Sequence, residues 1–170
     1  ALRPHSKAHK NPVLAQRQIA RGAVGICCAK TGEAEVMVAG GIGDILVTTP
    51  VTGALKIRRL VTIARSARLT VVVDDAANIA ELTSAARASG VTIDVLVDVD
   101  VGQGRTGVPP GPRAAELAAR IAGPLRFRGL QGYQGKLQGV PGLADRRALI
   151  DQAMARLAQS RDAVRAAGLD

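Results

Sequence analysis

Residues 69–100 read LTVVVDDAANIAELTSAARASGVTIDVLVDVD, and this stretch decides the fold class. Its two ends, Leu69–Asp74 and Ile93–Asp100, are apolar and β-branched runs typical of strands buried on both faces of a parallel sheet. Between them, Asn78–Ser89 is rich in alanine, is closed by Gly90, and predicts a helix. A strand, a helix and a second strand in succession form one unit of a parallel α/β fold.

The same alternation extends in both directions along the chain. The other strand-like segments are Leu2–Ser6, Val24–Cys28, Asp44–Thr49 and Leu125–Tyr133. The other helix candidates are Pro12–Arg21, Glu33–Ala39, Thr52–Ala67, Arg113–Ala122 and Leu143–Ala167. The sequence therefore predicts about six strand–helix units.

Two architectures can hold these units: an open, doubly wound six-stranded sheet or a closed (β/α)8 TIM barrel. A complete barrel needs eight units and typically about 250 residues. The 170 residues begin without Met and end where a seventh strand is due. We therefore expect an incomplete barrel segment, with the open sheet as the alternative.

Composition excludes several classes of protein. A hydrophobic content of 47% with 22% charged residues excludes a disordered chain. No apolar run approaches the roughly 20 residues of a membrane helix, and the first residues lack the apolar core of a secretion signal. The two cysteines, Cys27 and Cys28, are adjacent and cannot join distant loops, which favours a reducing compartment. We expect a cytoplasmic protein without a membrane partner.

The net charge of +9 raises the question of nucleic-acid binding. The basic residues are spread along the predicted helices and are not gathered in one run. Phe127 and Tyr133 are the only aromatic residues, so a stacking platform for single strands is missing. We expect no nucleic-acid partner.

Lys7 lies where a barrel places its chemistry, at the carboxyl end of a strand. Because strand side chains alternate, Lys7 shares a face with His5 and His9. A lysine inside a barrel mouth is costly unless it is paired, neutralised or used covalently, and a buried amine is a nucleophile toward carbonyls. Lys7 is therefore a Schiff-base candidate, the alternative being a solvent-exposed lysine.

The segment Gly102–Gly107, GQGRTG, formally matches the dinucleotide fingerprint G-x-G-x-x-G. That fingerprint requires a helix opening within the motif and an acidic residue about 20 positions later. Here the helix begins only after Pro112, and Glu116 is the only acidic residue between Gly107 and Ala144. We interpret the segment as a tight loop that bends back over the barrel mouth and directs Arg105 to an anionic oxygen. The alternative is a turn with an exposed arginine.

The sequence indicates no metal site within this chain. Adjacent cysteines on a strand cannot both face one site, and two histidines are too few for a closed zinc site. Asp74 and Asp75 follow a strand directly, where an acid caps the next helix more often than it catalyses.

Four segments together resemble a known enzyme family. They are RPHSKAHK (3–10), GICCAK (25–30), VDVDVGQGRTGV (97–108) and GLQGYQG (129–135). In this order they are similar to D-threonine aldolase and its relatives, 3-hydroxy-D-aspartate aldolase and eukaryotic-type D-serine dehydratase. These fold type III pyridoxal-phosphate enzymes have an N-terminal barrel of alanine racemase type. The resemblance implies that residues 1–170 are a partial cofactor-binding barrel domain, with the last barrel units and a C-terminal β domain outside this chain.

The resemblance also implies roles for single residues. Lys7 is the catalytic residue that holds pyridoxal 5′-phosphate, Arg105 approaches the phenolic oxygen of this cofactor, and Gln131 and Tyr133 line its pocket. The implied reaction is cleavage of a β-hydroxy-D-amino acid to glycine and an aldehyde. A divalent metal, Mn or Zn, is expected through segments absent from this chain.

Departures from the family pattern leave alternatives open. Gly139 stands where the relatives usually have histidine, Ala29 replaces a common glutamine, and Thr49–Pro50 replaces a common Asn-Glu pair. A D-serine dehydratase-like ammonia lyase and a non-catalytic pyridoxal-phosphate-binding protein therefore remain alternatives to the aldolase. A homodimer and a monomer are both compatible with the resemblance.

Overall fold

The computed structural model describes residues 1–169, which contain five strands and six α-helices. The strands are β1 (Ile26–Cys28), β2 (Asp44–Val47), β3 (Arg68–Val73), β4 (Ile93–Val99) and β5 (Leu125–Gly132). The helices are α1 (Pro12–Ala20), α2 (Thr31–Ala39), α3 (Ala54–Ala64), α4 (Ala76–Ser89), α5 (Pro112–Ala118) and α6 (Leu143–Ala166). A 3-10 turn, Lys136–Gly139, connects β5 to α6.

The strand order decides between the two architectures expected from the sequence. Every strand pairs in parallel with the one before it, in the order β1-β2-β3-β4-β5. A doubly wound sheet reverses its strand order at a switch point, whereas a barrel wall keeps the order of the chain. The fold is therefore a segment of a (β/α) barrel, as predicted.

The expected strand over Leu2–Ser6 is reduced to a single parallel bridge between His5 and Cys27. The segment still follows β1, because the Ser6 N–H donates to the Cys27 carbonyl and the Cys27 N–H donates to the Pro4 carbonyl, both at 2.8 Å. Pro4 has no N–H to extend this ladder. The prediction of a sixth strand was therefore wrong, although its residues lie at the expected place beside β1.

Alternate residues of β4 face two different environments. Ile93, Val95 and Val97 are fully buried in the hydrophobic core, which the helices cover on the outer face of the sheet. Asp94 and Asp98 lie on the opposite, inner face because side chains alternate along a strand. The inner face of this wall therefore carries charge at both ends of β4.

Ion pairs join the strands at the amino-terminal end of the sheet. Asp94 is buried and accepts hydrogen bonds from Arg68 Nε at 2.9 Å and Arg126 Nε at 2.8 Å. Burial opposes the charged form, but these two guanidinium groups outweigh it and lower the pKa of Asp94. The carboxylate thus links β3, β4 and β5.

We expect Asp94→Asn to lower the free energy of unfolding by about 2 kcal/mol, because charge-assisted hydrogen bonds to a buried group are lost. The matched control is Asp162→Asn, which removes an exposed pair with Arg161 that is worth at most about 0.5 kcal/mol. Urea denaturation measures both losses. Equal losses would contradict the linking role of Asp94.

The longest helix, α6, leaves apolar side chains exposed along its first half, including Leu143, Ile150 and Met154. In the part of the chain that the structure describes, no helix combines the length and apolar character needed to cross a membrane.

Candidate active site

A cavity of about 180 Å³ opens at the carboxyl ends of the strands. Its lining consists of His5, Lys7, Ala29, Thr48, Thr49, Arg105, Gln131, Gly132 and Tyr133. All four residues that the sequence singled out as cofactor-binding, Lys7, Arg105, Gln131 and Tyr133, are thus brought together. They come from three separate segments of the chain.

Two cations converge on the aromatic ring of Tyr133. Lys7 Nζ lies 5.6 Å from the ring centre, and Arg105 Cζ lies 5.0 Å from it, both within the range of cation–π attraction. Gly135 leaves room for the ring, because a Cβ at this position would overlap the Tyr133 hydroxyl group. The cavity is therefore positively charged around one aromatic side chain.

Lys7 is exposed within residues 1–169, so these residues alone do not provide the burial that the sequence interpretation assumed. Residues 1–169 form five strands and not a closed ring, so the inner face of the wall is open on one side. Lys10 has a 64% exposed side chain that pairs with Glu33, and Lys30 is exposed before α2. Neither of them lines the cavity, whereas Lys7 does.

Hydrogen bonds of His5 hold the turn that carries Lys7. The Lys7 backbone N–H donates to His5 Nδ1 at 3.2 Å, so this nitrogen carries no proton. His5 Nε2 then donates to Thr48 Oγ1 at 3.2 Å, and the Thr48 hydroxyl donates to the Cys28 carbonyl at 3.2 Å. Burial and the adjacent Lys7 charge lower the pKa of His5, which agrees with a neutral ring.

This arrangement predicts a pH dependence of stability. A histidine whose pKa is lowered by folding takes up its proton more readily in the unfolded chain, so stability is lost as the pH falls below the ordinary value of 6.5. We expect the free energy of unfolding to decline between about pH 7 and pH 5. The decline is smaller in His5→Asn, whose side-chain carbonyl can still accept the Lys7 N–H. Denaturant titrations at about pH 7 and about pH 5 measure the free energy of unfolding of both proteins. An equal decline in wild type and His5→Asn would contradict the prediction.

The segment Gly102–Gly107 turns back onto β4 and does not open a helix. The Val108 N–H donates to the Asp98 carbonyl, and the Asp100 N–H donates to the Val108 carbonyl, both at 2.9 Å. Backbone N–H groups of the loop, foremost that of Gly104, donate to the Asp100 carboxylate and lower the pKa of Asp100. The expected loop is confirmed, while the oxygen that Arg105 contacts stays a prediction.

The remaining candidates from the sequence have structural roles. Asp75 caps α4, whereas the Asp74 carboxylate accepts the Gly107 N–H at 3.0 Å. Cys27 and Cys28 are buried and unbridged, and burial raises the pKa of Cys28 to about 11. Within residues 1–169, no three histidine, cysteine or acidic side chains form a group that could hold a metal ion.

Sequence reasoning gave no role to Asp98 or Thr106, which lie beneath the cavity lining. Asp98 is buried and accepts hydrogen bonds from Gln131 Nε2 and Thr106 Oγ1, both at 2.8 Å. The signal was present in the alternation of residues 97–100, VDVD, which places acids on the inner face of β4.

Two larger cavities, of about 260 and 380 Å³, lie along α6. Met154 and Leu157 line both of them. Their linings are mainly apolar, and their polar members are glutamine and arginine side chains, which are neither nucleophiles nor general bases at neutral pH. The candidate active site is the cavity at the strand ends, because it brings an amine, a guanidinium and a phenol together where a barrel places its chemistry.

Comparison with known proteins identifies the family of the chain. Residues 1–170 match the family model described as alanine racemase, N-terminal domain. A D-threonine aldolase from Arthrobacter sp is 46% identical over 162 residues, covering 94% of this chain and 42% of the relative. A 3-hydroxy-D-aspartate aldolase from Paracoccus denitrificans (strain Pd 1222) is 42% identical over 171 residues, covering 98% of this chain and 44% of the relative.

A solved structure gives the same result. The crystal structure of D-threonine aldolase from Filomicrobium marinum matches with a TM-score of 0.97 at 46% identity, over 99% of this chain and 46% of that chain. The chain thus spans less than half the length of these relatives. The resemblance seen in the sequence is confirmed, and the chain belongs to the alanine racemase N-terminal domain family.

Proposed function

We propose that this chain is the cofactor-binding barrel portion of a pyridoxal-phosphate-dependent lyase that cleaves β-hydroxy-D-amino acids to glycine and an aldehyde. One observation carries the proposal: the Lys7 amine and the Arg105 guanidinium converge on Tyr133 in a cavity at the strand ends. The names of the relatives at 46% and 42% identity, a D-threonine aldolase and a 3-hydroxy-D-aspartate aldolase, support the reaction class.

The side chains of the cavity fit pyridoxal 5′-phosphate by the chemistry of their donors. Lys7 supplies an amine that can bind an aldehyde covalently. Arg105 supplies a planar set of N–H donors suited to an anionic oxygen. When bound, the cofactor supplies the electron sink for cleavage of the substrate Cα–Cβ bond.

The other lining residues hold these two groups in place. His5 accepts the Lys7 N–H while its own ring stays neutral, which avoids a third positive charge beside Lys7 and Arg105. Gln131 and Tyr133 complete the wall of the cofactor pocket. Residues from three separate segments of the chain thus act on one ligand.

We extend the proposal to the whole protein. The last barrel units and a C-terminal β domain lie outside residues 1–170, and the 42–46% share of the relatives that this chain covers supports this. A divalent metal, Mn or Zn, binds through those outside segments. The protein works in the cytoplasm, which its two unbridged cysteines support, on a small D-amino acid.

Product analysis tests the reaction. The purified holoenzyme is incubated with D-threonine or D-serine, and with L-threonine as the control. We expect glycine and acetaldehyde from D-threonine alone. A keto acid and ammonia from D-serine would instead show that the protein is a D-serine dehydratase-like ammonia lyase.

A second candidate function is binding of the cofactor without catalysis. Gly139, in place of the histidine usual in the resembled family, favours it, and the space around this residue is open. Retained cofactor without any product from these three amino acids or from 3-hydroxy-D-aspartate would support this candidate and contradict the lyase.

A further inference from the structure

Asp98 is a carboxylate only 3% exposed that connects two parts of the cavity lining. Its Oδ2 accepts the Thr106 hydroxyl at 2.8 Å, and its Oδ1 accepts Gln131 Nε2 at 2.8 Å. Both oxygens therefore have partners, as a buried carboxylate requires. Thr106 follows Arg105 directly, and Gln131 lines the cavity itself.

The Gln131 amide has one orientation because both of its N–H groups have acceptors. One donates to Asp98 Oδ1, and the other donates to the Thr48 carbonyl at 3.1 Å. An amide nitrogen carries two hydrogens, so no further donor remains. The polar atom left to the cavity is the carbonyl oxygen of Gln131, which is a hydrogen-bond acceptor.

Arg105 lies between two residues that carboxylates hold. On one side, the Gly104 N–H donates to Asp100 Oδ1 at 3.0 Å. On the other side, the Thr106 hydroxyl donates to Asp98. The loop belongs to no helix or strand, so these two carboxylates hold the backbone on both sides of Arg105, together with the Gly107–Asp74 hydrogen bond.

The two buried aspartates of β4 differ in their partners. Asp94 has two guanidinium groups and a lowered pKa. Burial raises the pKa of Asp98, and the nearby Asp74 charge adds to this, while Gln131, Thr106 and the Arg105 charge act in the opposite direction. Asp98 is thus a buried acid without an ion-pair partner in direct contact, a pattern that is more frequent at functional sites than elsewhere.

Resting on the function proposed above, we propose that Asp98 is a positioning residue for both Arg105 and Gln131. Through Thr106 it places the loop that carries the Arg105 guanidinium, and through Nε2 it turns the Gln131 carbonyl toward the cavity. The cavity thereby presents a cationic donor and a neutral acceptor at fixed positions. Asp98 acts through these two residues and lines no part of the cavity.

The first test measures the loop in the full-length protein without cofactor, by hydrogen exchange of residues 102–107. We expect Asp98→Asn to speed this exchange about tenfold, because an N–H replaces one of the two acceptors. Thr106→Val should also speed the exchange, because valine has no hydroxyl group. Thr106→Ser keeps the hydroxyl group and should exchange at the wild-type rate. The matched control is Asp94→Asn, which lowers global stability but leaves the exchange of the loop slow relative to that of Asp98→Asn.

The second test measures the bound cofactor by its absorbance as the pH is varied. We expect Asp98→Asn to shift the titration midpoint by about 1 pH unit, since the placement of a cation next to an ionising group changes its pKa by such amounts. In an Arg105→Leu background the same substitution should cause no further shift. Asp94→Asn should leave the midpoint unchanged.

Two results would overturn the positioning role. One is an unchanged exchange rate of residues 102–107 in Asp98→Asn. The other is that Asp94→Asn changes the loop exchange rate and the titration midpoint as much as Asp98→Asn does. Cofactor bound on Lys7 with unchanged loop exchange would overturn the role of Asp98 alone. Faster loop exchange in Asp98→Asn without any cofactor on Lys7 would overturn the proposed function, and the hold of Asp98 on the loop would stand.

Discussion

Replacing Lys7 with alanine is expected to lower the rate of product formation on the order of 10³-fold or more, since it removes the amine that we propose binds the cofactor covalently. Lys7 Nζ lies 5.6 Å from the centre of the Tyr133 ring and lines the cavity at the strand ends. Alanine has no side-chain amine that could replace the one lost from Lys7. We expect the variant to lose its cofactor on gel filtration, which absorbance spectroscopy measures alongside steady-state kinetics.

The matched control for this variant is Lys30→Ala. Lys30 follows β1, is exposed and does not line the cavity, so its loss should leave the rate within about twofold of wild type. Full cofactor absorbance and activity in Lys7→Ala would contradict the assignment of Lys7.

Gly107→Ala is expected to displace the loop that carries Arg105 and to weaken cofactor binding strongly. Gly107 has φ +103°, and a Cβ there would lie 2.5 Å from the Asp100 nitrogen and 2.7 Å from the Val99 carbonyl carbon. A positive φ costs an L-residue roughly 1–2 kcal/mol. Overlap with rigid backbone adds roughly 1–3 kcal/mol. Together these penalties exceed what the Gly107–Asp74 hydrogen bond can offset.

Gly104→Ala is the matched control in the same loop. Gly104 also has a positive φ, +66°, but nothing lies within 4 Å of the added Cβ. Its cost is about 1 kcal/mol, so cofactor affinity should fall much less than in Gly107→Ala. Isothermal titration of the cofactor into both apo variants measures the difference. Equal affinities would show that the close packing of Gly107 on β4 does not determine the loop.

Local sequence patterns predict those parts of the fold and site that depend on neighbouring residues. The apolar and β-branched residues of β3 and β4 are typical of parallel strands covered on both faces, and the alanine-rich segment between them predicts the connecting helix. The glycines around Arg105 predict a tight loop because only glycine adopts such backbone angles freely. Strand alternation predicts Lys7 and His5 on one face, and both line the cavity although Lys7 lies in a turn. None of these inferences needs a distant contact.

Long-range contacts explain what the sequence alone could not predict. Asp98 obtains its role from Gln131, which is 33 residues away, and Gln131 is fixed by Thr48, which is 83 residues away. The hydrogen bond of His5 with Thr48 joins two residues that are 43 positions apart.

The identity of the cofactor lysine is the central claim, and one measurement tests it most directly. The holoenzyme is reduced with borohydride, digested, and searched by mass spectrometry for the pyridoxyl label. We predict the label on Lys7, in the peptide that contains the segment RPHSKAHK. Label on Lys10, which lies in the same segment, or on Lys30 would contradict the assignment and the function built on it.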